Sequence, residues 1–194
     1  SITQSSALDT YNTAIGYTAG GAITTGTKNT IIGGLAGDAL TTGSNNVAIG
    51  YKALSSEDGN GRNVAIGYLA LDQQNAGADA YNVAIGFYAG QAVTTGVSNV
   101  LIGGEAGDAL TTGVSNIAIG KDALSTKTTG SGDTAIGHQA LQDANGVDAF
   151  NVAVGYRSGR NITTGIRNIV IGASAGDTLS TGADNIAIGY QALS

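Results

Sequence analysis

The sequence has no cysteine, proline, methionine or tryptophan among its 194 residues, and charged residues make up only 11% of it. Without cysteine the chain forms neither a disulfide framework nor a thiolate metal site. The formal charge is -6 and no basic run occurs, which argues against a nucleic-acid partner. No apolar run approaches the roughly 18 residues of a membrane-spanning helix, so this segment is not expected to insert into a membrane.

Glycine is abundant instead. The chain has 32 glycines, and eleven of them close a recurring motif such as Asn46-Val47-Ala48-Ile49-Gly50. The spacing of the motif glycines is constant, apart from two slightly longer steps, from Gly67 to Gly86 and from Gly137 to Gly155. The full set is Gly16, Gly33, Gly50, Gly67, Gly86, Gly103, Gly120, Gly137, Gly155, Gly172 and Gly189. Such a period indicates a repeat architecture, in which each unit contacts mainly its neighbours.

A slower period groups the repeats into blocks of four. The fourth residue after each motif glycine reads Gly, Gly, Leu, Leu in turn, beginning with Gly20. The blocks comprise residues 11–80, 81–149 and 150–194, and together they belong to a single repeat domain, 1–194. The two longer steps fall at the ends of the first two blocks, at 72–80 and 142–149. Insertions of this kind usually form loops on one face of a repeat array.

The two ends of the chain indicate a segment of a longer protein. The first residues, Ser-Ile-Thr-Gln-Ser-Ser, lack the basic and apolar regions of a secretory signal peptide. The last residues, Tyr190 to Ser194, stop inside a repeat, whereas a natural repeat array ends in an atypical polar cap. We therefore expect the sequence to be excised from a longer chain.

A 17-residue repeat is too short for a helical hairpin and suits one coil of a β-solenoid. The motif has β-branched residues at alternate positions, so Val47 and Ile49 point to one face of a strand and Ala48 to the other. A second short strand is predicted at Ala39 to Thr42, closed by Gly43. Its counterparts are Ala22 to Gly26, Ala92 to Gly96, Ala109 to Gly113, Asn161 to Gly165 and Thr178 to Gly182. The sequence thus predicts an all-β parallel β-roll or β-solenoid of about eleven 17-residue coils.

Polar side chains recur at the start of each motif. The residue four before the motif glycine is asparagine in ten repeats and Asp133 in the remaining one. Stacked coils bring these side chains about 4.8 Å apart, so we expect a ladder that satisfies the amides internally. Glycine at the strand ends permits positive φ at the corners of the coil.

The middle residue of each motif is never polar. A strand that is apolar on both faces is buried on both faces, and a thin solenoid covers only its inner face, which we assign to residues such as Val47 and Ile49. We therefore predict an oligomer interface along the middle column, with three identical chains around an axis as the preferred arrangement. The column comprises Ala14, Ile31, Ala48, Ala65, Ala84, Leu101, Ala118, Ala135, Ala153, Val170 and Ala187. The alternatives are a wider solenoid that covers both faces itself and a bare apolar stripe.

The motif runs carry a family resemblance. Asn46-Val47-Ala48-Ile49-Gly50, Asn82-Val83-Ala84-Ile85-Gly86 and Asn116-Ile117-Ala118-Ile119-Gly120 resemble the head repeats of trimeric autotransporter adhesins. They are also similar to repeats of bacteriophage tail fibres, in which AIGY-x-AG and TTG-x-xN segments alternate. The resemblance covers nearly the whole chain and implies a homotrimer of left-handed parallel β-rolls. The coils here are longer than typical adhesin-head repeats, and the stalk and membrane anchor of autotransporters have no counterpart in this segment.

The residue after the motif glycine is often aromatic, and we refer to this column as the aromatic row. An exposed row of rings could stack on sugars, although such rows also simply cover the corner of a solenoid. The candidate ligand-binding residues are Tyr17, Tyr51, Tyr68, Phe87, Tyr156 and Tyr190, with His138 in the same column. His138 is the only histidine and has no recurring serine or aspartate companion, so a catalytic triad is unsupported.

Other polar features offer alternatives. Asp38, Asp108 and Asp177 share one position and predict turns in which the carboxylate bonds backbone N–H groups. Calcium remains an alternative there and at the acidic loop 56–60, but the nine-residue calcium repeat is missing. Recurring Thr-Thr-Gly segments suggest ice binding as an alternative function, although adjacent threonines on a strand point to opposite faces. A hexapeptide acyltransferase fits only one stretch, 15–20, and the pattern does not recur every six residues.

Taken together, these observations predict a non-enzymatic structural or adhesive segment of a trimeric adhesin or phage tail fibre. We expect it to lie outside the cell, on a bacterial surface or a virion, to need no cofactor, and to associate with copies of itself. Its further partner would be a host glycan or matrix protein, contacted first at the loops 72–80 and 142–149.

Overall fold

The computed structural model describes residues 10–194; the first six residues, where no signal peptide is predicted, lie outside this range together with residues 7–9. The described residues form eleven strands of three residues each and no helix. They are β1 (Thr13–Ile15), β2 (Thr30–Ile32), β3 (Val47–Ile49), β4 (Val64–Ile66), β5 (Val83–Ile85), β6 (Val100–Ile102), β7 (Ile117–Ile119), β8 (Thr134–Ile136), β9 (Val152–Val154), β10 (Ile169–Ile171) and β11 (Ile186–Ile188). All eleven pair in parallel, in chain order, within one sheet. The predicted parallel β-solenoid of 17-residue coils is confirmed.

The register of the sheet follows the motif without a slip. Ala48 lies opposite Ala65, and equivalent positions face one another at every other pair of strands. The register also survives the longer steps, because Val64 still pairs with Val83 and Thr134 with Val152. The extra residues of 72–80 and 142–149 are therefore accommodated outside the sheet, as the insertions predicted.

The prediction of a second strand in each coil is wrong. Ala39 to Thr42 and its counterparts form bends and turns between the strands rather than a second sheet. Successive coils do contact each other there, but several donors share one acceptor: the N–H groups of Thr24, Thr25 and Gly26 all point to the carbonyl of Thr41. One shared carbonyl per coil cannot build a strand ladder, which needs alternating donors and acceptors along both chains.

The prediction that the middle column faces a neighbouring chain is also wrong. Ala14, at the first coil, is half-buried, and the other ten residues are at most 2% exposed in the single chain. They belong to the chain's own core, so no second chain can reach them. These residues are Ala14, Ile31, Ala48, Ala65, Ala84, Leu101, Ala118, Ala135, Ala153, Val170 and Ala187. Alternation was correct, but the inner and outer faces were exchanged: the middle residue points into the coil, and the β-branched residues on either side of it point outward.

We call a coil Gly-type or Leu-type after the fourth residue that follows its motif glycine. Packing inside the coil explains why two Gly-type coils alternate with two Leu-type coils. The larger middle residue of the second coil, such as Leu101, needs space that two glycines supply. A Cβ at Gly90 would lie 2.6 Å from a methyl group of Leu101, and one at Gly107 would lie 2.8 Å from the other. Ile31 and Val170 meet their flanking glycines in the same way. Leucine occupies the fourth position after the motif glycine where the middle residues of its own coil and of the next coil are both alanine, as at Leu124.

The predicted asparagine ladder is present. In ten successive steps the side-chain oxygen of one ladder residue accepts the backbone N–H of the next, at 2.7 to 3.1 Å. The amide nitrogen donates elsewhere: Asn29 Nδ2 bonds the carbonyl of Gly43 at 2.8 Å, near the end of the same coil. Asn29 therefore joins the start of its coil both to the next coil and to its own far end. Seven other ladder asparagines make the equivalent contact. Among the described residues Asn63 Nδ2 has no hydrogen-bond partner, and Asn185 Nδ2 bonds Asn168 and Ala183 instead.

The motif glycines are required on two grounds, and a neighbouring glycine offers a matched control. Gly103 has φ of 136°, and a Cβ there would lie 2.6 Å from the carbonyl group of Gly120. Gly104 has no such strain, and its Cβ would meet only Lys121, at 4.0 Å.

We expect Gly103→Ala to lower the free energy of unfolding by about 1–3 kcal/mol or more, because both the backbone strain and the clash must be accommodated. Gly104→Ala should leave it unchanged or slightly raise it. Thermal and denaturant unfolding followed by circular dichroism would measure both. Equal stability of the two variants would contradict this account of the motif.

Candidate functional site

The outward side of the sheet is an apolar strip, which we call the outer sheet face. It consists of the first and third residues of every strand, and all twenty-two are valine, isoleucine or threonine, with no charged member. They are Thr13, Ile15, Thr30, Ile32, Val47, Ile49, Val64, Ile66, Val83, Ile85, Val100, Ile102, Ile117, Ile119, Thr134, Ile136, Val152, Val154, Ile169, Ile171, Ile186 and Ile188. In the middle coils the side chains of neighbouring strands shield one another from solvent. At the last strand, by contrast, Ile188 is 66% exposed.

The size of this strip exceeds what scattered surface residues produce. Ten strand spacings of roughly 4.8 Å give a length of about 50 Å. With side chains included, the strip covers on the order of 500 Å², which is at the upper end for the largest apolar patch of a monomer. The sequence reveals this face through its alternation, but only the structure shows that it is the outer one.

The aromatic row follows the strand around the next corner of the coil, and the structure brings some of its members together. Tyr51 stacks on Tyr68 with ring centroids 5.5 Å apart and a 17° angle between the rings. Tyr68 stacks on Phe87 at 5.4 Å and 14°. His138 and Tyr156 form a separate stacked pair at 5.5 Å and 8°.

Two residues that the sequence does not single out join this row. Tyr88 meets Tyr68 and Phe87 edge-on, with centroids 5.6 and 4.1 Å away. The guanidinium of Arg157 lies 5.0 Å from the centre of the Tyr156 ring. Rings within the stack cover one another's faces, so a flat ligand reaches only edges and hydroxyl groups there. This arrangement fits the role of covering a corner of the solenoid.

The loops that close the blocks carry the clearest surface features away from the sheet. Within the described residues, a depression of about 370 Å³ opens beside the loop 145–148, with Thr164 and Ile166 on its far side. In the equivalent loop of the first block, Asp79 forms an ion pair with Arg62. Arg62 also donates to the Tyr81 hydroxyl at 2.9 Å. The longer repeat steps predict the positions of both loops, but not their side-chain partners.

At one core position, the side chain differs between Gly-type and Leu-type coils. The position seven after the motif glycine holds leucine, isoleucine or valine in Gly-type coils, and in three Leu-type coils it holds Glu57, Gln74 and Lys127. All three side chains are fully buried. Gln74 accepts from the ladder residue Asn82 at 2.6 Å and donates to a backbone carbonyl at 3.0 Å.

Lys127 explains the one departure from asparagine in the ladder. Its ammonium nitrogen lies 2.9 Å from Oδ2 of Asp133, and neither side chain is exposed. It also donates to the carbonyl of Gly146 at 2.8 Å, while Asp133 Oδ1 accepts the N–H of Asn151 at 2.7 Å. A carboxylate in the ladder is thus matched by a buried cation. The pair is sealed from solvent, which makes it a structural element.

The other candidate sites do not assemble. Within residues 10–194, no three acidic or histidine side chains come together in a way that would hold a metal ion. Burial raises the pKa of the Asp38 and Asp108 carboxyl groups, whereas Asp177 accepts from Asn161 Nδ2 at 3.0 Å. His138 Nε2 lies 4.0 Å from Asp122.

The hydroxyl groups of the recurring Thr-Thr-Gly segments form hydrogen bonds within the solenoid. The hydroxyl of Thr41 donates to the carbonyl of Asp58 at 2.9 Å, and that of Thr111 donates to the carbonyl of Thr128 at 2.7 Å. Thr163 repeats the contact with Ser180 at 3.0 Å. The first threonine of these pairs therefore links successive coils, and no observation favours ice binding.

Comparison of the chain with models of known families, with characterised proteins and with solved structures gives no match. Within residues 10–194 there is also no helical segment with the length and hydropathy of a membrane span.

The buried pair gives a prediction with an internal rescue. Lys127→Gln or Asp133→Asn alone should cost about 3–5 kcal/mol, because each leaves one buried charge without its partner. The double variant recreates the neutral pairing of Gln74 with Asn82 and should recover most of that loss. Chemical denaturation of the four proteins gives the coupling energy. If the two single losses simply add, the buried pair is not the stabilising unit.

Glu57 gives a prediction about pH. Burial raises the pKa of its carboxyl group, opposed by its hydrogen bonds with Asn60, including one from the backbone N–H at 3.0 Å. Folding therefore favours the protonated form, and the associated stability is present at low pH and lost as the pH rises through the folded-state pKa. Glu57→Gln should raise the thermal midpoint at pH 7, with a smaller gain below about pH 4, where glutamate is ordinarily protonated. Asp148→Asn, at an exposed position away from Glu57, serves as control, and a gain independent of pH would contradict the prediction.

Proposed function

We propose that the chain is a non-enzymatic structural segment of a trimeric extracellular fibre, of the kind found in cell-surface adhesins and phage tail fibres. The observation that carries this proposal is the outer sheet face, an uncharged strip of β-branched side chains along the whole sheet. An apolar strip of this length indicates a surface that is covered in the working assembly. The sequence resemblance supports copies of the same chain as the cover.

The shape of the strip suits parallel copies. Its two columns repeat at every coil, so a second copy in the same direction meets equivalent residues at each level. β-Branched side chains have little χ1 freedom, and ordering them at an interface therefore costs little side-chain entropy. From the resemblance we propose three copies around an axis and left-handed coils. The interface is the outer sheet face, in place of the middle column.

The proposal leaves other surfaces available for adhesion. Neither the aromatic row nor the block-closing loops belong to the outer sheet face. They are the parts of the fibre that we propose to contact a host glycan or matrix protein. The fibre itself would be carried on a bacterial surface or a virion, where a rigid rod holds a binding tip away from the particle.

Disruption of the outer sheet face tests the proposal. Sedimentation equilibrium of the chain at micromolar concentration should give three times the mass of one chain. Val83→Glu combined with Ile85→Glu should give monomers, because an interface with these carboxylates must desolvate unpaired charges at a cost of several kcal/mol per ion.

The control places a carboxylate outside the outer sheet face. Val147 lies on a block-closing loop and is 72% exposed, so Val147→Glu should leave the trimer intact. Circular dichroism of each variant reports whether the solenoid remains folded. A wild-type chain that sediments as a monomer would sink the proposal.

A further inference from the structure

The aromatic row has empty positions that recur once per block. In the second coil of each block, the residue after the motif glycine is Gly34, Gly104 or Ala173. Gly34 falls between Tyr17 and Tyr51. Ala173 falls between Tyr156 and Tyr190, and Gly104 between Phe87 and Lys121. Two of the three gaps therefore have a tyrosine on both sides.

The fold does not require glycine at these positions. A Cβ at Gly34 would lie 3.6 Å from the Tyr51 ring, an ordinary contact, and the backbone of Gly34 is not in the positive-φ region. The preceding Gly33 contrasts with it, because its φ is 134° and its Cβ would clash with the Gly50 carbonyl group. Glycine in an ordered segment loses more conformational entropy on folding than alanine does. Stability thus gains nothing from Gly34, and what glycine supplies there is space.

The size of that space is set by the filled part of the row. Rings in adjacent coils stack with centroids 5.4 to 5.5 Å apart. Tyr17 and Tyr51 occupy the same position two coils apart, so one ring fits between them at a spacing that suits aromatic pairs on both sides. Tyr51 and Tyr156, each with a ring on one side and a gap on the other, are 45% and 49% exposed, compared with 42% for Tyr68, which has a ring on each side. Tyr17 and Tyr190, at the two ends of the row, are 78% and 76% exposed.

We propose that the gaps at Gly34 and Ala173 each bind one aromatic ring, the side chain of a tyrosine or phenylalanine presented by a partner protein. The row itself indicates the occupant, because every stacked ring in it is tyrosine, phenylalanine or histidine. The inserted ring completes the stack and buries both of its faces against tyrosine. This binding does not depend on the proposed trimer, since the aromatic row is not part of the outer sheet face.

The test uses N-acetyl-tyrosinamide as probe and the 194-residue chain labelled with ¹⁵N-glycine. Ring currents from a bound probe should shift the amide signals of Gly33 and Gly34 in a saturable way. The exposed loop residue Gly77 has open space around it and should not respond in that way.

Three variants distinguish binding in the gap from non-specific binding to the surface. Gly34→Tyr fills the gap with the chain's own ring, and the saturable shift at Gly33 should be lost. Gly104→Tyr adds the same ring to a gap that lacks a tyrosine pair, and the shift at Gly33 should persist. Tyr51→Leu removes one wall and should weaken the binding without filling the gap.

Several results would overturn the proposal. A shift at Gly33 and Gly34 that grows linearly, like that of Gly77, means that no site exists there. Retention of the saturable shift in Gly34→Tyr places the probe elsewhere. A saturable shift with methyl glucopyranoside and none with N-acetyl-tyrosinamide would make the gap a sugar site. A monomeric chain that still binds the probe would sink the trimer and leave this inference standing.

Discussion

The fold depends on one hydrogen bond that recurs at every step, from a backbone N–H to the side-chain oxygen of the equivalent residue one coil earlier. The bond between Asn46 N and Asn29 Oδ1 is typical, at 2.9 Å inside the protein. A buried amide left without partners would cost about 1–3 kcal/mol. A shift of the strand register by one residue would therefore leave a whole column of polar groups without hydrogen bonds. The ladder therefore specifies the register, and the short strands follow from it.

Within that register, the core is a problem of volume. A coil this short encloses little space, and each layer is filled by a different combination of small and large side chains. Leu101 occupies the centre of its layer, where Gly90 and Gly107 have no side chain. Leu124 fills the corner of its layer, where the small side chain of Ala118 leaves room. The block of four coils is thus a packing unit. The same block period governs the aromatic row, whose gaps fall in the coils with the large central residue.

Charge inside the solenoid follows the same local matching. Asp133 breaks the asparagine ladder, and Lys127 neutralises it from a position that is apolar in most other coils. Since a buried pair is worth little in net stability but costs much when broken, the two residues depend on each other. The sequence shows both exceptions, but their separation along the chain does not reveal that they meet. Glu57 occupies the same position in its own coil without a countercharge, and its raised pKa is the consequence.

The sequence alone determined the period, the parallel stacking, the ladder and the positions of the loops, because each follows from a residue type that recurs at a constant spacing. It did not determine which face of the strand is inside. Alternation places Ala48 on one face of the strand and Val47 and Ile49 on the other. Because both sets are apolar, it does not show which face points into the coil. Only the closed backbone decides, since it turns Ala48 into the core and leaves Val47 and Ile49 on the outward side. The tertiary structure therefore places the middle column in the core and the β-branched columns on the outward side of the sheet.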